Sequence, residues 1–323
     1  MPRILTGIQS TGTPHLGNIL GAILPAIEMA EQEANNAFLF IADMHSLTQI
    51  KDADYLREST YSVAATWLAC GLDTNKSTFY RQSDVPETAE LAWYLSCFFP
   101  YQRLTLAHSF KDKADRLEDV NAGLFSYPML MAADILLYDA DLVPVGKDQL
   151  QHLEMSRDVA SRINHKMGDI LVPPEAKLKQ ETMYVLGTDG NKMSKSRGNT
   201  IDIFMDAKAL KKELNKKIVT DDTPLEDSKE AEGKTVYELY KLIASPKKAD
   251  EMKTQLKAGG YGWGHAKLAL HEAILSRFEK ERESYDHYMS NKKELDQLLE
   301  QGAVKARVVA KEVLSRVRNA LGY

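Results

Sequence analysis

Short apolar segments recur along the first part of this chain, at residues 3–8, 37–42, 77–82 and 141–145, with helix-patterned sequence between them. Runs of this length suit strands. The intervening segments 54–70, stopped by Gly71, and 87–99, stopped by Pro100, suit helices. Such an alternation predicts an α/β fold, a Rossmann-like parallel sheet covered by helices, with any ligand site at the carboxyl ends of the strands. After Ser196 the pattern changes to charged, helix-forming sequence at 206–219, 235–244, 247–258 and beyond Trp263, with an acidic loop at 221–233. The 323 residues exceed one ordinary domain and carry enough apolar residues for a sizeable core. The expected organisation is therefore an α/β domain over 1–190 and an all-helical C-terminal region over 191–323.

Two segments carry recognisable chemistry. The run Lys192-Met193-Ser194-Lys195-Ser196 lies between Gly190-Asn191 and Gly198-Asn199. Its two ammonium groups, three residues apart on a small and polar loop, can close over a triphosphate and neutralise charge as pyrophosphate leaves. Near the N-terminus, residues 6–18 link an apolar strand to an apolar-periodic helix. The unpaired N–H groups at such a helix start suit a phosphate. Gly17 permits close approach by a nucleotide, and His15 and Asn18, three apart, would share one helical face.

Together these segments resemble the class I aminoacyl-tRNA synthetases, whose two hallmarks are a HIGH sequence after the first strand and KMSKS after the last. Here the first reads His15-Leu16-Gly17-Asn18, a variant found in the tryptophanyl and tyrosyl branch, and the second matches in full. The similarity extends through Gly-Ile-Gln at 7–9, residues 127–138 and residues 143–149, and so covers most of the first two-thirds of the chain. It implies that 1–190 is the catalytic domain and that the helical remainder binds the anticodon. The stretch between His15 and Lys192 is too short for a large inserted editing domain.

Within that branch the amino acid is read from residues 127–138. On a helix Tyr127, Met131 and Asp134 fall at i, i+4 and i+7 and point the same way. Tyrosyl enzymes carry Gln where Met131 stands, and that Gln and the Asp meet a phenol hydroxyl. A thioether suits a large indole, and the carboxylate of Asp134 can accept the indole's single N–H. A buried acceptor left unpaired by a wrong ligand costs about 1–3 kcal/mol, which supplies discrimination that apolar packing alone does not. Without the resemblance, an ion pair with a nearby Lys or Arg that merely holds helices together would be the better explanation of Asp134. With it, tryptophan is the better fit.

By similarity, His45 would edge the indole, Val143, Val145 and Leu5 would wall it, and Gln149 with the Tyr127 hydroxyl would hold the substrate ammonium. Asp148 and Gly146 would approach the ribose of ATP, Gln9 and Gly7 would lie beside the phosphates with Gly17 and Met193, and Lys111 would reach the leaving pyrophosphate. Two positions depart from the branch: Leu5 stands where Phe is frequent, and Lys147 where an acid is frequent.

The implied reaction is activation of tryptophan by ATP to tryptophanyl-AMP and pyrophosphate, then transfer to the 3′-terminal adenosine of tRNA(Trp). A carboxylate is already nucleophilic at neutral pH, so activation needs alignment and charge stabilisation rather than a protein base. Lys192, Lys195 and Lys111, with Mg2+ carried on ATP, would supply the charge, while His15 and Asn18 hold the phosphate end. No metal held by protein side chains is expected, and two cysteines, Cys70 and Cys97, are too few for the iron–sulfur cluster some relatives contain. Both are read as reduced core residues.

The net charge of −5 gives no global nucleic-acid signature. Arg307, Lys311 and Arg318 form a basic stripe opposite Val309 and Val313 that fits a solvated face as well as an RNA contact. With no apolar spanning run and no signal peptide in view, a cytoplasmic enzyme without membrane contact is expected, a homodimer by similarity. A tyrosyl enzyme, a small nucleotidylyltransferase and a non-catalytic tryptophan or RNA binder are the alternatives. The full lysine motif disfavours the last two.

Overall fold

The computed structural model describes residues 1–32, 35–106, 120–146, 149–178 and 184–323. Its centre is a five-stranded sheet of order β3-β2-β1-β4-β5, with every neighbouring pair parallel. The strands are β1 (Arg3–Ile8), β2 (Asn36–Ile41), β3 (Thr78–Arg81), β4 (Leu142–Val145) and β5 (Glu175–Leu178). The first four lie within a residue of the expected segments. β5 went unread because Glu175-Ala176-Lys177-Leu178 lacks the apolar run that marks a central strand, as an edge position permits.

Period-two alternation explains how one sheet serves two cores. Along β2, Ala37, Leu39 and Ile41 join one apolar cluster, while Phe38 and Phe40 join the other. β3 divides likewise, with Phe79 in the first and Tyr80 in the second. The order places β1 between β2 and β4, so consecutive connections run in opposite directions from that point. A crevice opens outside the carboxyl ends of β1 and β4.

The helices in the first part are α1 (Leu16–Asn18), continued by a π-helical turn (Ile19–Ile23) into α2 (Leu24–Ala30), then α3 (Asp43–Ser46), α4 (Ala53–Ala69), α5 (Glu87–Phe98), α6 (Tyr101–Leu104), α7 (Ala122–Leu136) and α8 (Leu150–Met167). After the lysine loop come α9 (Ala207–Lys217), α10 (Thr235–Ile243), α11 (Pro246–Ala258), α12 (Trp263–Arg277), α13 (Glu279–Ser290) and α14 (Lys292–Leu321).

The helical region is packed into the α/β core along its length. Leu295 and Leu299 of α14 belong to the first apolar cluster, Ala303 to Val317 to the second, so this helix crosses the sheet at its β3 edge. Gly302 marks the crossing: a Cβ there would lie 1.7 Å from the carbonyl oxygen of Phe79. A covered edge strand cannot recruit another chain. Arg307 donates from both Nε and Nη2 to Glu87 of α5, and Arg318 reaches Glu90 at 3.6 Å. Arg307 and Arg318 of the basic stripe thus pair with carboxylates of the same chain, while Lys311 and Arg318 remain exposed, as a solvated face requires.

Candidate active site

The crevice holds two cavities that meet at Ile8, Gln9, Ala22 and Gly146, at the carboxyl ends of β1 and β4. The first, of about 460 Å3, lies between the start of α1 and the lysine loop. His15 is the N-cap of α1 rather than a member of its first turn: its Nδ1 accepts the Asn18 N–H at 3.2 Å, while Asn18 Oδ1 accepts the His15 N–H at 3.2 Å. The two residues expected side by side on one face are instead locked to each other. Because Nδ1 accepts a backbone N–H, the neutral ring carries its proton on Nε2. Burial, with the charge of Lys195 second, pushes the His15 pKa down to about 4, so the ring is neutral at pH 7.

The lysine loop is tied to this helix start. Gly17 N–H lies 3.3 Å from the Met193 sulfur, Leu16 N–H donates to the Ile201 carbonyl at 2.9 Å, and Met193 N–H donates to Val185 at 2.9 Å. Asn199 braces the loop from inside, accepting the Ser194 N–H at 2.8 Å and donating to the Lys192 carbonyl at 3.1 Å. Lys195 Nζ donates to the carbonyls of Thr11 at 3.0 Å and Gly12 at 2.8 Å. Gly12, with φ of 101°, turns the chain there in a conformation that side chains disfavour. Lys195 as a whole is exposed, yet desolvation of its ammonium on this loop lowers its pKa to about 8, against the opposing pull of Asp202. Lys192 lines the same cavity.

The second cavity, of about 410 Å3, is walled by Leu5, Phe40, Trp67, Met131, Ile135 and Val143, with polar groups from His45, Tyr127, Asp134 and Gln149. α7 carries Tyr127, Met131 and Asp134 to it on one face, as their spacing requires. Asp134 is buried, and its partners are neither Lys nor Arg: His45 Nε2 is 2.8 Å from one carboxylate oxygen and Gln82 Nε2 is 2.7 Å from the other. Burial pushes the Asp134 pKa up, while the bonds from His45 and Gln82 pull it back. The Tyr127 hydroxyl lies 2.6 Å from His152 Nε2.

Gly7 lines this second cavity and not the first, with the Phe40 ring filling the space a Cβ would need. It adjoins Ile8 and Gln9, which line both cavities. Val145 ends β4, next to Gly146. Lys111, Lys147 and Asp148 lie outside the described residues. Gln82, Phe40 and Trp67 were not foreseen. A polar residue directly after the third strand was the available signal for Gln82. Cys97 is exposed, contrary to its reading as a core residue, and Cys70 is half-buried with its thiol pushed up to about 12 by burial. Among the described residues no three His, Cys, Asp or Glu side chains gather as a metal site, and no helix is long and apolar enough to cross a membrane.

A parallel sheet with paired cavities at its switch point, one bordered by a basic loop and one closed by a buried carboxylate, suits an enzyme joining a nucleotide to a small organic acid. Residues 1–279 match the family of class I tRNA synthetases for W and Y, and the chain belongs to that family. It is 43% identical to the tryptophan–tRNA ligase of Campylobacter jejuni (strain RM1221) over 99% of both chains. It is 42% identical to that of Neisseria meningitidis serogroup A over 99% of this chain and 97% of the relative. The crystal structure of tryptophanyl-tRNA synthetase from Campylobacter jejuni, complexed with ADP and tryptophan, superposes with a TM-score of 0.95 at 43% identity, covering 99% of this chain and 100% of the other.

Proposed function

We propose that this chain is a tryptophan–tRNA ligase in which the lysine-bordered cavity takes ATP and the Asp134 cavity takes tryptophan. The observation that carries this reading is the meeting of the two cavities at Gln9 and Gly146. A tryptophan whose indole reaches Asp134 has its carboxylate directed to that junction, where the α-phosphate of a nucleotide bound between His15 and Lys195 would lie.

The carboxylate oxygen attacks the α-phosphorus, the bond from that phosphorus to the α,β-bridging oxygen breaks, and pyrophosphate leaves with the electron pair on that oxygen. Charge accumulates on the leaving phosphates, which Lys192 and Lys195 neutralise and to which neutral His15 donates through Nε2. Mg2+ enters on ATP as part of that substrate, and Lys111 would join the lysines at the pyrophosphate. Lys195 first exchanges the Thr11 and Gly12 carbonyls for phosphate oxygens, so its loop acts as a gate whose closed form is stabilised by ATP. Gln149 and Tyr127 hold the substrate ammonium, and Gly146 with Asp148 meets the ribose. In the second step the 2′-hydroxyl of the terminal adenosine of tRNA(Trp) attacks the activated carbonyl and AMP leaves.

Residues 1–190 act as the catalytic domain, and the helices after the lysine loop read the anticodon. The exposed Trp93 and Tyr101, on α5 and α6, offer apolar surface for a second copy of the chain. The test is charging of tRNA(Trp) transcript with labelled tryptophan in the presence of Mg2+ and ATP. Ester formation with tryptophan is the expected result, and charging of tRNA(Tyr) with tyrosine would overturn the proposal.

A further inference from the structure

Gln82 stands outside the segments that resemble known synthetase motifs, yet it is fully buried and touches the residue on which amino-acid choice depends. It follows β3 directly, so the sheet fixes its backbone. Its Oε1 lies 3.2 Å from the Met44 N, an N–H that can only donate, and this sets the orientation of the amide. Nε2 consequently faces Asp134 Oδ1 at 2.7 Å as a donor. The reverse orientation would place two oxygens face to face and an N–H against an N–H.

The same turn is pinned from a second side. Asp43, at the start of α3, accepts the N–H groups of Met44 and Ser83, each at 3.0 Å, and the Ser83 hydroxyl. α3 also carries His45, which meets the other oxygen of Asp134. Both partners of the carboxylate are thus held by one short cross-link between α3 and the turn after β3. Each carboxylate oxygen keeps one lone pair beyond the bond it already receives.

From this geometry we infer that Gln82 is a positioning residue for tryptophan selection: by donating to Oδ1 it keeps Asp134 an unprotonated acceptor aimed at the indole N–H. Asp134 is buried and shares its cavity with Met131, Ile135 and Phe40; with His45 as its only remaining donor, the carboxyl would take up a proton more readily and could present an O–H from Oδ1 instead. An O–H facing an N–H is repulsive, and selection would fall with it. The inference rests on the assignment of the second cavity to tryptophan, and the experiment separates the two.

The experiment measures amino-acid-dependent exchange of labelled pyrophosphate into ATP with tryptophan and with its benzothiophene isostere, in which sulfur replaces the ring N–H. The proteins are the parent, Gln82→Met and Gln82→Leu, each checked for native circular dichroism and unchanged KM for ATP. Gln82→Leu removes the donor with a shorter side chain where Gln82→Met fails to fold. The parent is expected to prefer tryptophan over the isostere, and the variants to lose kcat/KM for tryptophan on the order of tenfold or more with little change for the isostere. Equal loss for both substrates, or no loss for either, would overturn the role of Gln82 while leaving the tryptophan site intact. A parent enzyme that prefers the isostere or treats the two alike would instead remove the assignment of Asp134 to the ring N–H, and the inference with it.

Discussion

The two cavities are built by different means. The side proposed for the nucleotide is made of loops, a helix cap and two exposed lysines, of which Lys195 rests its charge on backbone carbonyls. The side proposed for the amino acid is made of strand ends and one face of α7, closed by a buried carboxylate with both oxygens engaged. Charge on movable groups suits a site whose ligand changes charge distribution during reaction, because those groups strengthen their contacts as pyrophosphate departs. Fixed, buried hydrogen bonds suit a site that must reject near neighbours of its ligand, because a wrong ligand leaves them unsatisfied. Rate and identity are therefore expected to separate between the cavities.

Lys195→Ala attacks that separation most strongly. It should slow adenylate formation in single-turnover measurements on the order of 100-fold or more, with the Kd for tryptophan little changed. Equal loss of binding and rate would contradict a transition-state role. Asp134→Asn should do the opposite, lowering kcat/KM for tryptophan about ten- to a hundredfold and leaving the KM for ATP near its parent value. Measured side by side, the two variants either divide cleanly or show that the cavities work as one unit.

The pH dependence sharpens the nucleotide side. In its proposed role Lys195 must be protonated to neutralise phosphate, and its pKa is lowered to about 8, so the charged form is lost as pH rises through that value. kcat/KM for ATP, which reports the free enzyme, should fall above about pH 8, by about tenfold per pH unit at the limit. Lys195→Arg should remove this alkaline limb, since a guanidinium stays charged. His15, held near 4, is already neutral over the working range and should add no limb between pH 5 and 8. Smallest in its effect on catalysis, Arg307→Ala strips the bidentate partner from buried Glu87, outside both cavities. It should lower stability by about 1–3 kcal/mol in denaturant titration while kcat stays unchanged.

The two sides also differed in how far they could be read from the chain. A loop that binds phosphate needs particular residues close together in sequence, and Lys192 to Ser196 and His15 to Asn18 could be found for that reason. Tyr127, Met131 and Asp134 were legible because one helix fixes their spacing. Phe40 and Trp67 come from a strand and a helix far apart in sequence to line one wall, and Gln82, after another strand, reaches Asp134 behind it; only the sheet order brings them together. His15 was placed on a helix face because spacing does not distinguish a cap from a first turn; the capping box does. The docking of α14 across β3 was hidden for a similar reason, since Gly302 reads as an unremarkable break in a charged helix until the Phe79 carbonyl lies beneath it.

Amino-acid-dependent exchange of labelled pyrophosphate into ATP, run with tryptophan, tyrosine and phenylalanine in turn, tests the joint working of the cavities without requiring tRNA. Exchange with tryptophan alone is the expected result. Comparable exchange with tyrosine, or none with any of the three from folded protein, would contradict it.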